Sequence, residues 1–273
     1  MSDKGIISFG QHYLENTLIQ DVLVNSAALS KQDVVIEIGA GDGRITAKIA
    51  DAAGKVIAYE IDEKTKLVLE NLQKISNNIE IRFENFLSAC LPKANKIVAS
   101  LPYQITEPFL EKIKLLNFES VTLLVGKTFG QLADESAKQK ITKLLLLFRC
   151  YFNGEYIQDV AKDNFSPPPN TMSSIIKMTP RAKQSLIENP ALYIMREIFE
   201  QRDKKVSNAL REGIIRFYAE LGQTKTKREV KQLLQDGFDG QLIDCYLEQM
   251  NNEKIKELFE KISNMFEEKR DKQ

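Results

Sequence analysis

Leu14, Leu18, Ile19, Val22 and Leu23 recur at helical spacing, which predicts an amphipathic helix over residues 14–29. The period then changes. Val34-Val35-Ile36-Glu37-Ile38-Gly39 is a short β-branched run that ends in glycine, the pattern of a strand buried in a parallel sheet. Helices are expected over 44–53, 63–76 and 106–116, and strands over 55–62, 79–84, 96–101 and 121–125. Such alternation predicts a doubly wound α/β sheet. Apolar segments at 144–152 and 174–178 are expected to add a sixth and seventh strand. Between them Phe165-Ser166-Pro167-Pro168-Pro169 reads as a rigid loop, because successive prolines fit neither sheet nor helix. Beyond Pro180 the pattern turns wholly helical, over 191–221, 226–235 and 241–268. The expected organisation is therefore an α/β domain at 1–180 and a smaller all-helical domain at 181–273.

Composition changes this picture little: at 43% hydrophobic and 28% charged residues, the chain can bury an ordinary core. Charge changes it more. The net charge of zero hides an asymmetry, since residues 202–231 carry nine bases and four acids, a balance of +5, while 239–273 carry nine acids and six bases. A nucleic-acid partner must therefore be met by a local patch, and 202–231 is the candidate. Cys90, Cys150 and Cys245 stand far apart and read as free thiols. His12 is the single histidine, which argues against a His-based metal site or a catalytic triad, so no metal is expected. The N-terminus lacks a signal-peptide pattern and the longest apolar run, near 144–148, is too short to cross a bilayer, so a cytoplasmic location is expected.

The candidate chemistry clusters at strand ends. The first strand runs into Gly39-Ala40-Gly41-Asp42-Gly43, where glycines permit a tight turn and close approach of a ligand to the main chain. The spacing is G-x-G-x-G rather than the G-x-G-x-x-G of dinucleotide folds. Asp42 inside the loop repels phosphate and suits a cationic ligand such as S-adenosylmethionine. Glu60 closes the second strand, where a carboxylate can accept from ribose hydroxyls. Asn85 closes the third, and either binds an adenine edge or caps a turn. Ser100-Leu101-Pro102-Tyr103 follows the fourth. An exocyclic adenine amine is a weak nucleophile, because its lone pair is delocalised into the ring. Acceptors that orient its protons, here Ser100 Oγ and a carbonyl of Leu101 or Pro102, expose that lone pair. Tyr103 can stack on the base.

Taken together, these motifs resemble the ribosomal RNA adenine dimethyltransferases, a family that includes the kasugamycin-sensitivity and erythromycin-resistance enzymes. The resemblance is carried by Gly10-Gln11-His12-Tyr13-Leu14, Glu37–Gly43, Glu60, Glu84-Asn85-Phe86-Leu87, Ser100–Tyr103, Phe165–Pro169 and Ser173-Ser174. It implies a Rossmann-like class I methyltransferase sheet with a helical RNA-binding domain. It also implies cofactor contacts from His12, Leu14, Gly39, Gly41, Glu60, Asn85 and Ser100. Ser100, Tyr103 and Phe165 would hold the target adenine, and 202–231 would meet phosphates of small-subunit ribosomal RNA in an immature particle, with the protein acting as a monomer. The chain departs from the family at Ser100 (usually Asn), His12 (Asn) and Asn85 (Asp), and Gly126–Gln139 lacks a Gln-Lys-Glu…Arg pattern. Two rivals follow: an rRNA-binding assembly factor without catalysis, and a nicotinamide-dependent oxidoreductase.

Overall fold

The computed structural model describes residues 12–134, 136, 137 and 139–270, without the side chains of Tyr103 and 268–270. Gly10, Gln11 and the N-terminal leader pattern lie outside the described residues. In chain order the elements are β1 (Tyr13–Leu14), α1 (Thr17–Ser26), β2 (Val34–Ile38), α2 (Arg44–Ala52), β3 (Lys55–Glu60), α3 (Lys66–Ile75), β4 (Ile79–Phe83), β5 (Lys96–Ser100), α4 (Thr106–Ile113), β6 (Ser120–Gly126), α5 (Lys127–Gly130), α6 (Lys143–Tyr151), β7 (Phe152–Val160), β8 (Phe165–Ser166) and β9 (Ser173–Pro180). Helices α7 (Pro190–Glu200), α8 (Val206–Glu220), α9 (Lys227–Gly237), α10 (Gly240–Ile243) and α11 (Asn252–Arg270) complete the chain.

The chain divides into two compact units. The first comprises Met1–Ala137 with Asn153–Pro180, and the second Lys138–Phe152 with Arg181–Gln273. The first unit is built on a seven-stranded sheet of order β4-β3-β2-β5-β6-β9-β7. Strands β2 to β6 run parallel and β9 pairs antiparallel with β6. From β2 the chain steps outward to β3 and β4, then crosses to β5 on the opposite side. The carboxyl ends of β2 and β5 thus flank a topological switch point, the crevice where open α/β sheets bind ligands. Val35, Val56, Val98 and Val121 are fully buried along the strands, as a sheet covered on both faces requires.

The second unit is helical. Asn189 caps α7 with Pro190 in its first turn, and Thr226 and Glu229 form a capping box on α9. Glu197 of α7 is fully buried, where its carboxylate accepts from Lys183, from Arg216 at 2.6 Å and from Gln201 at 3.2 Å. Among the described residues no helix is long and apolar enough to cross a membrane.

Phe165–Ser166, expected as loop, forms the short strand β8, and the segment at 144–152 departs further from expectation. Residues 144–152 were expected as a strand, yet Lys143–Tyr151 is helix α6, capped by Thr142 Oγ1 accepting from the Leu145 amide at 3.1 Å, and it clusters with the second unit. Leu145, Leu146, Leu147 and Phe148 are all buried, so no polar face reveals the helical period. Four leucines without a β-branched residue favour the helix. The sixth strand is instead β7, with its polar alternation.

In β2, Glu37 is buried beside the glycine loop, and burial pushes its carboxyl up to about 8; the hydroxyl of nearby Thr46 pulls the other way, and Glu60 and Asp42 push it up further. At neutral pH it is therefore protonated. Because this folded value lies above the ordinary 4.5, the native state keeps a proton that the unfolded chain has released. Its contribution to stability falls as pH rises from about 4.5 to about 8, and then levels off. Glu37→Gln should remove that slope and stabilise the protein at pH 8 by about 1–3 kcal/mol. Urea midpoints of both forms across this range check it; parallel curves for the two would contradict the assignment.

Candidate active site and nucleic-acid face

The switch-point crevice of the first unit is a cavity of about 550 Å³. Its wall includes His12, Leu14, Gly39, Gly41, Glu60, Asn85, Ser100 and Phe165, which brings together eight of the nine residues singled out from sequence. The ninth, Tyr103, opens the 3-10 turn Tyr103–Ile105 directly after β5, and its side chain lies outside the description.

The glycine loop is shaped by what it must avoid. Gly39 and Gly41 adopt φ of 79° and 56°, the left-handed region that suits glycine. A Cβ on Gly41 would come within 3.1 Å of Tyr13 Cε1, so the loop and β1 lie in close contact. The parallel register sets Ile38 beside both Tyr59 and Ala99, which brings the ends of β2, β3 and β5 level. A Cβ on Gly39 would thus sit 3.4 Å from the Ser100 carbonyl oxygen.

Glu60 fixes the loop. Its Oε2 accepts from the Gly41 amide at 2.8 Å, while Oε1 accepts from Ile61 at 2.7 Å and Asp62 at 2.8 Å. A carboxylate offers about four acceptor sites. Three are filled, so one on Oε2 remains for a ribose hydroxyl rather than a pair serving both hydroxyls. Asn85 resolves its two alternatives in a similar way. Its Oδ1 accepts from the Leu87 amide at 2.9 Å and so caps a turn, which leaves the amide nitrogen for a ligand. His12 donates from Nδ1 to the Pro167 carbonyl at 2.7 Å, which ties the segment before β1 to the proline loop.

The cavity's electrostatics select its ligand. Asp42, Glu60 and Glu84 line it, and the described lining residues include no lysine or arginine. Tyr13 reports the same field: burial raises its pKa, and Asp62, Glu60 and Asp42 raise it further. Among the described residues Asp42 forms an ion pair, with Arg44 Nε at 3.1 Å. A pyrophosphate would meet three carboxylates and no cation, which disfavours a dinucleotide. The amino group and sulfonium of S-adenosylmethionine fit this wall.

Sequence reasoning missed Tyr13, Phe86, Gln104 and Ser173 as lining residues. Leu14 was expected to begin a helix, and Tyr13 was assigned to no element. They instead form β1, paired antiparallel with β8, Leu14 opposite Phe165 and Tyr13 opposite Ser166. No local periodicity announces a pairing so distant in sequence. Phe86 packs edge-on to Tyr59 with ring centroids 5.7 Å apart, a contact that likewise joins separate segments.

The basic stretch of the second unit is narrower than its composition suggests. Lys204 pairs with Glu212 at 2.8 Å, Lys205 with Asp244 at 3.4 Å and Arg216 with Glu197 at 2.6 Å. Lys225 lies over the Tyr218 ring. Lys227, Arg228 and Lys231 remain exposed in the first two turns of α9, with no ion pair among the described residues. Cations at a helix N-terminus oppose the macrodipole, so α9 carries them at a cost that its capping box offsets.

A family model for ribosomal RNA adenine dimethylase matches residues 2–238. A probable ribosomal RNA small subunit methyltransferase A from Methanococcoides burtonii is 32% identical over 206 residues, covering 74% of this chain and 76% of the relative. A ribosomal RNA small subunit methyltransferase A from Thermotoga neapolitana is 32% identical over 205 residues, with 74% and 78% covered. Among solved structures, a dimethyladenosine transferase from Plasmodium falciparum shares the fold with a TM-score of 0.61 at 21% identity, over 93% of this chain and 98% of that one. The 23S rRNA methyltransferase ErmE does so with a TM-score of 0.59 at 24% identity, over 92% and 99%. The fold is thus that of the class I methyltransferases. With an acidic, glycine-floored cavity at its strand switch and a family match over most of its length, the chain belongs to the ribosomal RNA adenine dimethylases.

Proposed function

We propose that this protein dimethylates the 6-amino group of adenines in small-subunit ribosomal RNA, with S-adenosylmethionine as methyl donor, during ribosome biogenesis. It acts as a monomer in the cytoplasm, on an immature small subunit. The observation that carries the proposal is the cavity itself: three carboxylates without a cation line its wall, which also carries Ser100 and Phe165. His12, Leu14, Gly39, Gly41, Glu60 and Asn85 would hold the donor, and Ser100 stands where donor and base meet.

When bound, S-adenosylmethionine supplies a methyl carbon already activated by its sulfonium. The chain therefore needs no strong base. Its task is to aim the amine lone pair, and alignment provides most of the rate. Ser100 Oγ would accept one amine proton. Pro102 O already accepts from the Ile105 amide at 3.2 Å, so Leu101 O is the main-chain acceptor this geometry favours for the other. Phe165, 6% exposed, and Tyr103 would stack on the two faces of an extruded base. Lys227, Arg228 and Lys231 would hold phosphates of the folded RNA.

Methyl transfer from labelled S-adenosylmethionine to immature small subunits tests the reaction; saturable binding without transfer would overturn it. Ser100→Ala should lower turnover about tenfold, the value of one hydrogen bond. Its affinity for S-adenosylhomocysteine should stay within about twofold. Ser100→Asn should preserve or raise turnover, and equal turnover in the serine and alanine forms would place the acceptor elsewhere. Glu60→Gln turns an NH2 group toward amides that need acceptors, and should weaken S-adenosylhomocysteine binding about tenfold or more by calorimetry. Unchanged affinity would refute the clamp. Replacing Lys227, Arg228 and Lys231 together with Gln should lower the slope of log affinity for RNA against log salt by about 2–3. An unchanged slope would move the phosphate face away from α9.

A further inference from the structure

The ribbon formed by β1 and β8 carries residues from both halves of the cavity. Tyr13 packs on the glycine loop and Leu14 lines the donor side, while Phe165, directly opposite Leu14, lines the side proposed for the base. A ladder of two residues per strand has few hydrogen bonds of its own. His12 ties one end of it to Pro167, and the other end is held outside the cavity, at Asn164.

Asn164 uses its main chain and its side chain together. Its carbonyl accepts from the Glu15 amide at 2.9 Å and the Asn16 amide at 3.4 Å. Its Oδ1 accepts from Asn16 Nδ2 at 2.7 Å, and its own Nδ2 donates to the Ala161 carbonyl at 2.9 Å, closing the turn that delivers Phe165. Asn16 spends its Oδ1 on the N-terminus of α1, accepting from the Leu18 amide at 3.0 Å. A continuous run of hydrogen bonds thus leads from α1 through Asn16 and Asn164 to Phe165. The Asn16–Asn164 amide pair is a side-chain link between the segment after β1 and the segment before β8.

We infer that Asn164 is a positioning residue that makes the donor-facing strand and the base-facing phenylalanine move as one, so that filling either half of the cavity tightens the other. The inference rests on the proposed occupants, S-adenosylmethionine and an adenine. Neither ligand touches Asn164; the residue acts through β1 and Phe165. Its alanine variant keeps the main-chain bonds and loses both amide bonds. Asn164→Asp keeps an acceptor for Asn16 Nδ2.

Calorimetry of S-adenosylhomocysteine binding, with and without a saturating short adenine-containing RNA oligonucleotide, measures this link as a ratio of affinities. The native protein should show a ratio of about five or more, the lower end of ordinary site-to-site coupling. Asn164→Ala should bring the ratio close to one, while affinity for S-adenosylhomocysteine alone changes by less than about threefold. Asn164→Asp should restore most of it. A merely structural role would lower the melting temperature and leave the ratio intact, which would overturn the inference, as would a native ratio of one. If the alanine variant does not fold, hydrogen exchange on the native protein decides. The Glu15 and Asn16 amides should exchange several-fold more slowly when the oligonucleotide is added to the S-adenosylhomocysteine complex, and unchanged exchange would overturn the link. A native protein that binds no S-adenosylhomocysteine would overturn the proposed function, and the inference with it.

Discussion

The Glu60 carboxylate is the constraint on which the site depends. It stands at the end of β3, is 5% exposed, and holds the amides of Gly41, Ile61 and Asp62. Those bonds stitch the turn after β2 to the turn after β3 across the parallel register. With the loop so fixed, Gly41 can lie against Tyr13, and Gly39 against the Ser100 carbonyl. The glycine loop and the Ser100–Tyr103 tetrapeptide are thus held together at the carboxyl ends of the central strands. Short hydrogen bonds from a buried carboxylate to main-chain amides bring about this placement.

Charge divides the labour between the two units. The cavity of the first is acidic and without cations among its described lining residues, as suits a cationic donor. In the second, three unpaired cations gather at the start of α9, as suits phosphate. A net charge of zero is the sum of these opposed fields. Bulk charge thus says nothing about the RNA, and the local arrangement carries the argument.

Much of the donor side was legible in the sequence because it is local. A glycine loop after a β-branched strand, and an acid at the end of the next, are short-range signals whose geometry follows from strand, turn and helix. The same holds for Ser100, which any open α/β sheet of this order places at the crevice. What escaped was long-range or two-sided. Helix α6 was hidden because its residues are buried on every face, and β1 because its partner lies beyond six other strands of the chain. The part Asn85 and Glu60 play in mounting the loops could not be read from residue type, since only the fold shows which of their acceptor sites the main chain has filled. Asn164 gave no signal at all: an asparagine before a phenylalanine reads as loop until Asn16 is seen beside it.

The central claim is dimethylation of adenine in the small-subunit RNA of the cell. The direct measurement is a map of N6,N6-dimethyladenosine in that RNA, by mass spectrometry of nuclease fragments, from cells with and without this protein. The account predicts that specific dimethyladenosines vanish when the protein is removed and return when it is supplied. An identical map in both kinds of cell would contradict it.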